Sequence, residues 1–235
     1  MLRRVPTMEF AARMMVFPGG GVDPRDADAS LPWAGPSPAE WGRVLIADEA
    51  IARELVVAAV REVFEECGVL LAGPDADSVV GDVSGPGWRG ERAALLSREI
   101  SLAQMLIRRG LVLRSDLLRA RAHWITPEFE PKRYDTRFFA ALLPAGQIAD
   151  DQTSEADHAD WTDPARLLQD YASGSALMLA PTVVCVEQLA AAASAAEFMA
   201  AEVSLTPIMP VLIKADDAVM VRCTLPWGHL PLAGE

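Results

Sequence analysis

The chain has 235 residues, of which 51% are hydrophobic and 23% charged, and carries a formal net charge of −12 at pH 7. That length and apolar content can bury a full core in one domain, and the negative balance excludes general affinity for nucleic acid or an anionic membrane, so an anionic ligand would have to be met by a local group of cations or by a metal. No apolar run approaches the roughly 18 residues of a membrane span and no secretory leader pattern opens the sequence; the scattered Cys67, Cys185 and Cys223 suit reduced thiols of a cytoplasmic protein better than a disulfide framework.

In chain order, 1–5 reads as the end of a strand and 15–17 as a second apolar segment leading into Phe17-Pro18-Gly19-Gly20-Gly21-Val22-Asp23. Three successive glycines let a backbone approach a ligand or metal closely. Residues 29–42 hold three prolines, two glycines and two tryptophans and read as a loop. Helix signals begin at Asp48 and continue to Gly68, an expected left-handed residue past the helix end.

Within this helix the core stretch is Arg61-Glu62-Val63-Phe64-Glu65-Glu66-Cys67-Gly68-Val69. At helical spacing Glu62, Glu65 and Glu66 share an arc of roughly 100°, with Val56, Val60, Val63, Phe64 and Cys67 in the neighbouring arc. Carboxylates at these spacings repel one another by a few tenths of a kcal/mol per pair. A hard divalent cation would convert that cost into binding, with waters and substrate phosphates as further ligands. A solvated acidic face is the plainer alternative.

A glycine-rich turn followed by Arg-Glu-aliphatic-x-Glu-Glu-x-Gly-aliphatic resembles the signature of the Nudix hydrolases. The first half of the signature departs from the family pattern. Arg53 stands where the family carries a glutamate ahead of Arg61, whereas Asp26 follows Gly20 with five residues between, so Asp26 is the acid of a box split by a long insertion. A split box opening with Phe-Pro-Gly-Gly-Gly-Val-Asp is similar to the branch that cleaves coenzyme A and acyl-CoA. By that resemblance Glu65 and Glu66 are the principal metal ligands, joined by the Gly20 carbonyl. Glu62 completes the metal shell or takes a proton from water, and Arg61 is an orienting salt-bridge partner. Arg3, Arg4 and Arg13 would meet phosphates or remain solvated.

The remaining elements extend this resemblance. Residues 73–90 read as loop, and 91–109 as one helix with Leu95, Leu102 and Leu106 among its apolar repeats, closed by Gly110. Ser115 is placed as the cap of a short helix over 115–121. Two strands, 122–127 and 132–142, flank a proline turn and resemble segments of the same branch. Lys132, Arg133 and Arg137 beside Tyr134 suit phosphate and adenine contacts, against the alternative of a solvated strand edge; His123 reads as structural. Residues 150–160 form an acidic loop, where the family often carries an extra acid for a second metal or for water activation: Glu155 is the first choice and Asp157 the second. A helix is expected at 164–171 and another from Pro181 to about residue 201, then a hairpin-like pair within 208–225.

The resemblance implies an α/β (α+β) Nudix fold, a mixed β-sheet sandwiched between helices with extra helices and a C-terminal strand pair. Residues 1–204 would form the domain, with 27–47 a loop insertion in the box and 205–235 an extension packed on it. Nudix relatives carry a strand ahead of the first one here, so either the true start lies upstream or a second copy or the C-terminal segment completes the sheet, a homodimer being one outcome. The implied activity is Mg²⁺- or Mn²⁺-dependent hydrolysis of a pyrophosphate linkage in a small-molecule nucleotide, CoA or acyl-CoA, giving 3′,5′-ADP and 4′-phosphopantetheine or its acyl form. ADP-ribose, NADH or another nucleotide is the alternative substrate, and a noncatalytic nucleotide-sensing module the alternative function.

Overall fold

Two consecutive helices, α1 (Pro38–Leu45) and α2 (Glu49–Cys67), form the spine of a computed structural model that describes residues 1–5, 13–150, 156–215 and 218–226. Helix α2 ends as its sequence dictates: Gly68 takes φ 66°, ψ 19° and its N–H donates to the Phe64 carbonyl, a geometry glycine adopts without strain. Val56, Val57, Val60 and Phe64 are buried along it and join Leu70, Leu71, Met105, Leu106 and Leu113 in the main core. Each such side chain contributes about 1.5–3 kcal/mol relative to exposure.

The strands form short sheets around this spine. β1 (Leu2–Arg4) lies between β2 (Met15–Val16) and β8 (Ala156–Ala159), antiparallel to both. The first strand is therefore an inner strand, and the open edge expected from its position in the chain is not at β1. β3 (Trp33–Ala34) runs parallel to β5 (Val112–Arg114), whose other neighbour, β4 (Ala72–Gly73), is antiparallel, making this sheet mixed. β6 (Leu118–Ile125) and β7 (Asp135–Ala141) form the longest antiparallel pair, and β9 (Val211–Ala215) with β10 (Ala218–Arg222) supplies the expected C-terminal strand pair. Helices α3 (Pro86–Leu96), α4 (Leu102–Arg109), α5 (Pro164–Ala172), α6 (Ala180–Ala191) and α7 (Ala195–Ala200) complete an α+β architecture. Ile208, 2% exposed, packs with Trp124 and Cys185, so the chain beyond α7 is anchored to the hairpin. Among the described residues no helix is long and apolar enough to cross a membrane.

Four local expectations are corrected. The insertion is not all loop: Ser37 accepts from the Glu40 N–H while the Glu40 carboxylate accepts from the Ser37 N–H, and this capping box with Pro38 in the first turn starts α1. The helix expected over 91–109 is two helices, and the first begins earlier, at Pro86. They separate because Arg98 turns left-handed (φ 62°) and Ser101 and Gln104 cap a new start. Residues 115–121 are a single 3-10 turn entering β6, since the Ser115 hydroxyl donates to the carbonyls of Ala34 and Pro36 instead of capping a helix. The helix expected to run to residue 201 breaks after Ala191, where Ala192 is extended and the Ser194 hydroxyl caps α7.

Candidate active site

The glycine turn lies against α2, each of its glycines meeting a different side chain of the helix. The Gly19 N–H donates to Glu66 Oε2 at 2.7 Å, and the Gly21 carbonyl accepts from Arg61 Nη2 at 2.8 Å. Between them a β-carbon added to Gly20 would stand 2.5 Å from Glu62 Oε1, so glycine is what lets the turn close onto the carboxylate. Gly19 itself has φ 153°, a conformation that side chains rarely adopt.

Arg61 organises the acids. Its Nε and Nη2 each lie 3.0 Å from one oxygen of Asp26, its Nη1 is 2.7 Å from Glu62 Oε1, and the same Nη1 is 3.0 Å from Glu65 Oε2. Burial opposes the Arg61 charge, but Asp26, Glu62 and Glu65 more than offset it and raise its pKa above the usual value. Burial pushes Glu65 up from 4.5, and Arg61 restrains that rise. Glu65 and Glu66 are each 6% exposed, whereas the Glu62 side chain, at 13%, is more open. The acidic arc of the helix is thus folded inward against the glycines, contrary to the solvated-face alternative.

A supporting layer was not evident in the sequence. Asp23 holds Arg25 and accepts its N–H, and the Arg25 pair lowers the Asp23 pKa well below the carboxylate range. Arg92 donates to the Glu65 carbonyl at 2.8 Å and pairs with Asp150 at 2.6 Å, placing a cation at the C-terminal end of α2, where the last turn has none of its own. Asp150 lies 58 positions from Arg92, beyond the reach of any periodicity.

As for metal, among the described residues no three acid, histidine or cysteine side chains stand together as a ready cation site. The oxygens are turned to Arg61 and to the Gly19 N–H. Their donor chemistry nonetheless fits a hard divalent cation: Glu62, Glu65 and Glu66 offer only carboxylate oxygens, and Asp26, Glu62 and Glu65 outnumber the one guanidinium they surround.

Other candidate residues lie elsewhere. Glu155 is outside the described residues, and Asp157 lies on β8. Arg4 is opposite Ala156 in the β1–β8 pairing, and Arg13 occupies an exposed turn with φ 63°. Arg133 and Tyr134 are exposed between β6 and β7, where Arg133 Nε donates to the Thr126 carbonyl and the Lys132 ammonium sits 5.6 Å from the Tyr134 ring. Arg137, half-buried as a residue, is ion-paired with Asp135, which also binds His123 Nε2 at 2.6 Å. These three cations are therefore unlike: one is exposed at the turn, one faces a ring, and one is committed to a carboxylate.

Comparison with known proteins gives the same grouping. Residues 40–189 match the family model described as NUDT19 Nudix domain. The crystal structure of a NUDIX hydrolase from Alicyclobacillus acidocaldarius superposes with a TM-score of 0.69 at 29% identity, covering 85% of this chain and 86% of that one. A Caenorhabditis elegans protein named "Putative nudix hydrolase 7" is 27% identical over 183 residues, 78% of this chain. The chain spans about half the length of that relative, 52%. With the family model covering most of the chain, this protein belongs to the Nudix hydrolases, in the NUDT19 Nudix domain family.

Proposed function

We propose that this protein hydrolyses the pyrophosphate linkage of a nucleoside-diphosphate derivative with Mg²⁺ or Mn²⁺, its substrate being CoA or acyl-CoA and its products 3′,5′-ADP and 4′-phosphopantetheine or the acyl form. The observation that carries this reading is the seating of Gly19, Gly20 and Gly21 on Glu66, Glu62 and Arg61. What supports catalysis over a noncatalytic module is that Asp26, and not a residue at the position of Arg53, serves as the acid partner of Arg61.

In this mechanism Glu62, Glu65 and Glu66 would hold the cation, with the Gly20 carbonyl as a further oxygen. A cation held there would supply neutralisation of the diphosphate charge and polarisation of its phosphorus. Arg61 aims Glu62 and Glu65, because its guanidinium is itself fixed by Asp26. Glu62, more open than Glu65, accepts the proton of the attacking water in the alternative to a purely ligating role. Exposed Arg133 and Tyr134 are the phosphate and adenine contacts, with Arg4 and Arg13 as further phosphate contacts and Glu155 as the acid of the acidic loop. One domain over 1–204 with its extension, a cytoplasmic location and a homodimer through the remaining sheet edges belong to the same proposal.

Product analysis with CoA, ADP-ribose and NADH, each with Mg²⁺ and with Mn²⁺, tests it. Release of 3′,5′-ADP from CoA at the highest kcat/KM is the expected result. A large preference for ADP-ribose would overturn the CoA assignment while leaving the diphosphatase chemistry.

A further inference from the structure

Helix α2 carries apolar and acidic groups on a single stripe. Ile51, Leu55, Ala59, Glu62 and Glu66 fall within roughly 80° of one another around the axis, so the open first half of the stripe leads directly onto the acids. Beside that first half lies a cleft of about 890 Å³ bounded by Ile46, Ile51 and Leu55 and, from β7, by Asp135 and Arg137. Ile46 is 61% exposed and Ile51 47%.

Ile46 has a second peculiarity. It ends α1 at φ 53°, ψ 54°, a left-handed conformation that penalises a β-branched side chain and that glycine or asparagine would take more readily. A strained isoleucine held in solvent serves neither the core nor solubility, and backbone strain of this kind concentrates at ligand sites. The cleft's charges balance, with Arg43 and Arg137 against Asp48 and Asp135, and Arg137 is already tied to Asp135. A neutral rim around exposed isoleucines favours an uncharged apolar group over an anion. The strand that supplies Arg137 also brings the Phe138 ring to 6.2 Å from that of Phe17, the residue that opens the glycine turn, so one strand reaches both localities.

Resting on the diphosphatase reading, we infer that this cleft receives an apolar tail of the substrate, the arm that joins tail to diphosphate running along the α2 stripe from Glu62 to Leu55 and Ile51, about 10–16 Å along the helix axis. The insertion in the box thereby acquires a function: α1 and its strained end supply one wall of a tail-binding site that a short box would lack.

The test compares kcat/KM for octanoyl-CoA and CoA in the wild-type protein, in Ile46→Gly and in Ile51→Glu, together with calorimetric binding of both compounds in EDTA. Ile46→Gly suits the left-handed turn and preserves the fold. The wild type is expected to prefer octanoyl-CoA in both measurements, and each variant to lose about tenfold of that preference with CoA itself unaffected. No preference in the wild type, or a preference unchanged in both variants, overturns the inference. If Ile51→Glu converts a sedimenting dimer to a monomer and leaves the ratio intact, the cleft is a protein interface and the tail site is likewise overturned. Absence of cleavage of every diphosphate would sink the proposed function instead, and the calorimetric comparison would still decide the tail site.

Discussion

Arg61 grips Asp26 through two nitrogens, each 3.0 Å from a different carboxylate oxygen, across 35 positions of sequence, and Asp26 is 1% exposed. A paired buried charge is tolerated because its partner is fixed, and removing one partner strands the other. Asp26→Ala is therefore expected to lower unfolding free energy by about 3–5 kcal/mol, read from urea midpoints. A loss under about 1 kcal/mol, the range of an exposed pair, would mean that Glu62 and Glu65 hold Arg61 unaided.

The glycine turn supplies a matched pair of substitutions. A β-carbon on Gly20 would meet Glu62 Oε1 at 2.5 Å, whereas one on Gly21 meets nothing within 4 Å. Gly20→Ala should displace the Glu62 carboxylate and cost about 100-fold in kcat, the scale of a misplaced reacting group, and Gly21→Ala should be close to wild type. Equal losses in the two variants would show that the turn acts through backbone freedom and not through its fit to Glu62.

Glu66→Gln keeps the shape of the side chain and an oxygen able to accept the Gly19 N–H, now made at 2.7 Å, but removes the charge a divalent cation needs. Turnover with Mg²⁺ or Mn²⁺ should fall at least about 100-fold with little change in the melting temperature. Cation titration by calorimetry checks the cause, since binding should weaken in parallel. Undiminished turnover would remove Glu66 from the ligand set.

How far this architecture could be read from the sequence depended on the range of the forces involved. Helix α2 was legible because its apolar period and Gly68 are local signals, and Asp26 could be found by counting from Gly20. The breaks at Arg98 and Ala192 escaped because apolar spacing continues through them, and only the capping serines at positions 101 and 194 mark the new starts. Helix α1 was hidden by its proline and glycine content although Ser37 and Glu40 spell a capping box. Arg137 was grouped with Arg133 as a phosphate contact because both are cations near Tyr134. Only the folded strand shows that Arg137 is tied to Asp135 while Arg133 lies in the open. Pairings such as Arg92 with Asp150 depend on tertiary packing and leave no sequence trace.

His123 gives the fold a dependence on pH whose sign can be worked out. It is 4% exposed, and burial, with the nearby Arg137 charge, holds its pKa below the usual 6.5 even though Asp135 pulls in the opposite direction. An unfolded histidine takes up a proton as pH falls through 6.5, whereas the folded one resists until a lower pH. In that window the unfolded state binds more protons, so stability is lost on acidification and the loss levels off below the folded pKa. Urea midpoints at about pH 7.5 and about pH 5 should therefore differ more in the wild type than in His123→Gln. The comparison of two slopes cancels any pH-independent cost of the substitution, including the lost contact to Asp135. Identical slopes would assign the acid sensitivity to carboxylates elsewhere, and a wild type that gains stability on acidification by virtue of His123 would mean that Asp135 outweighs burial at this site.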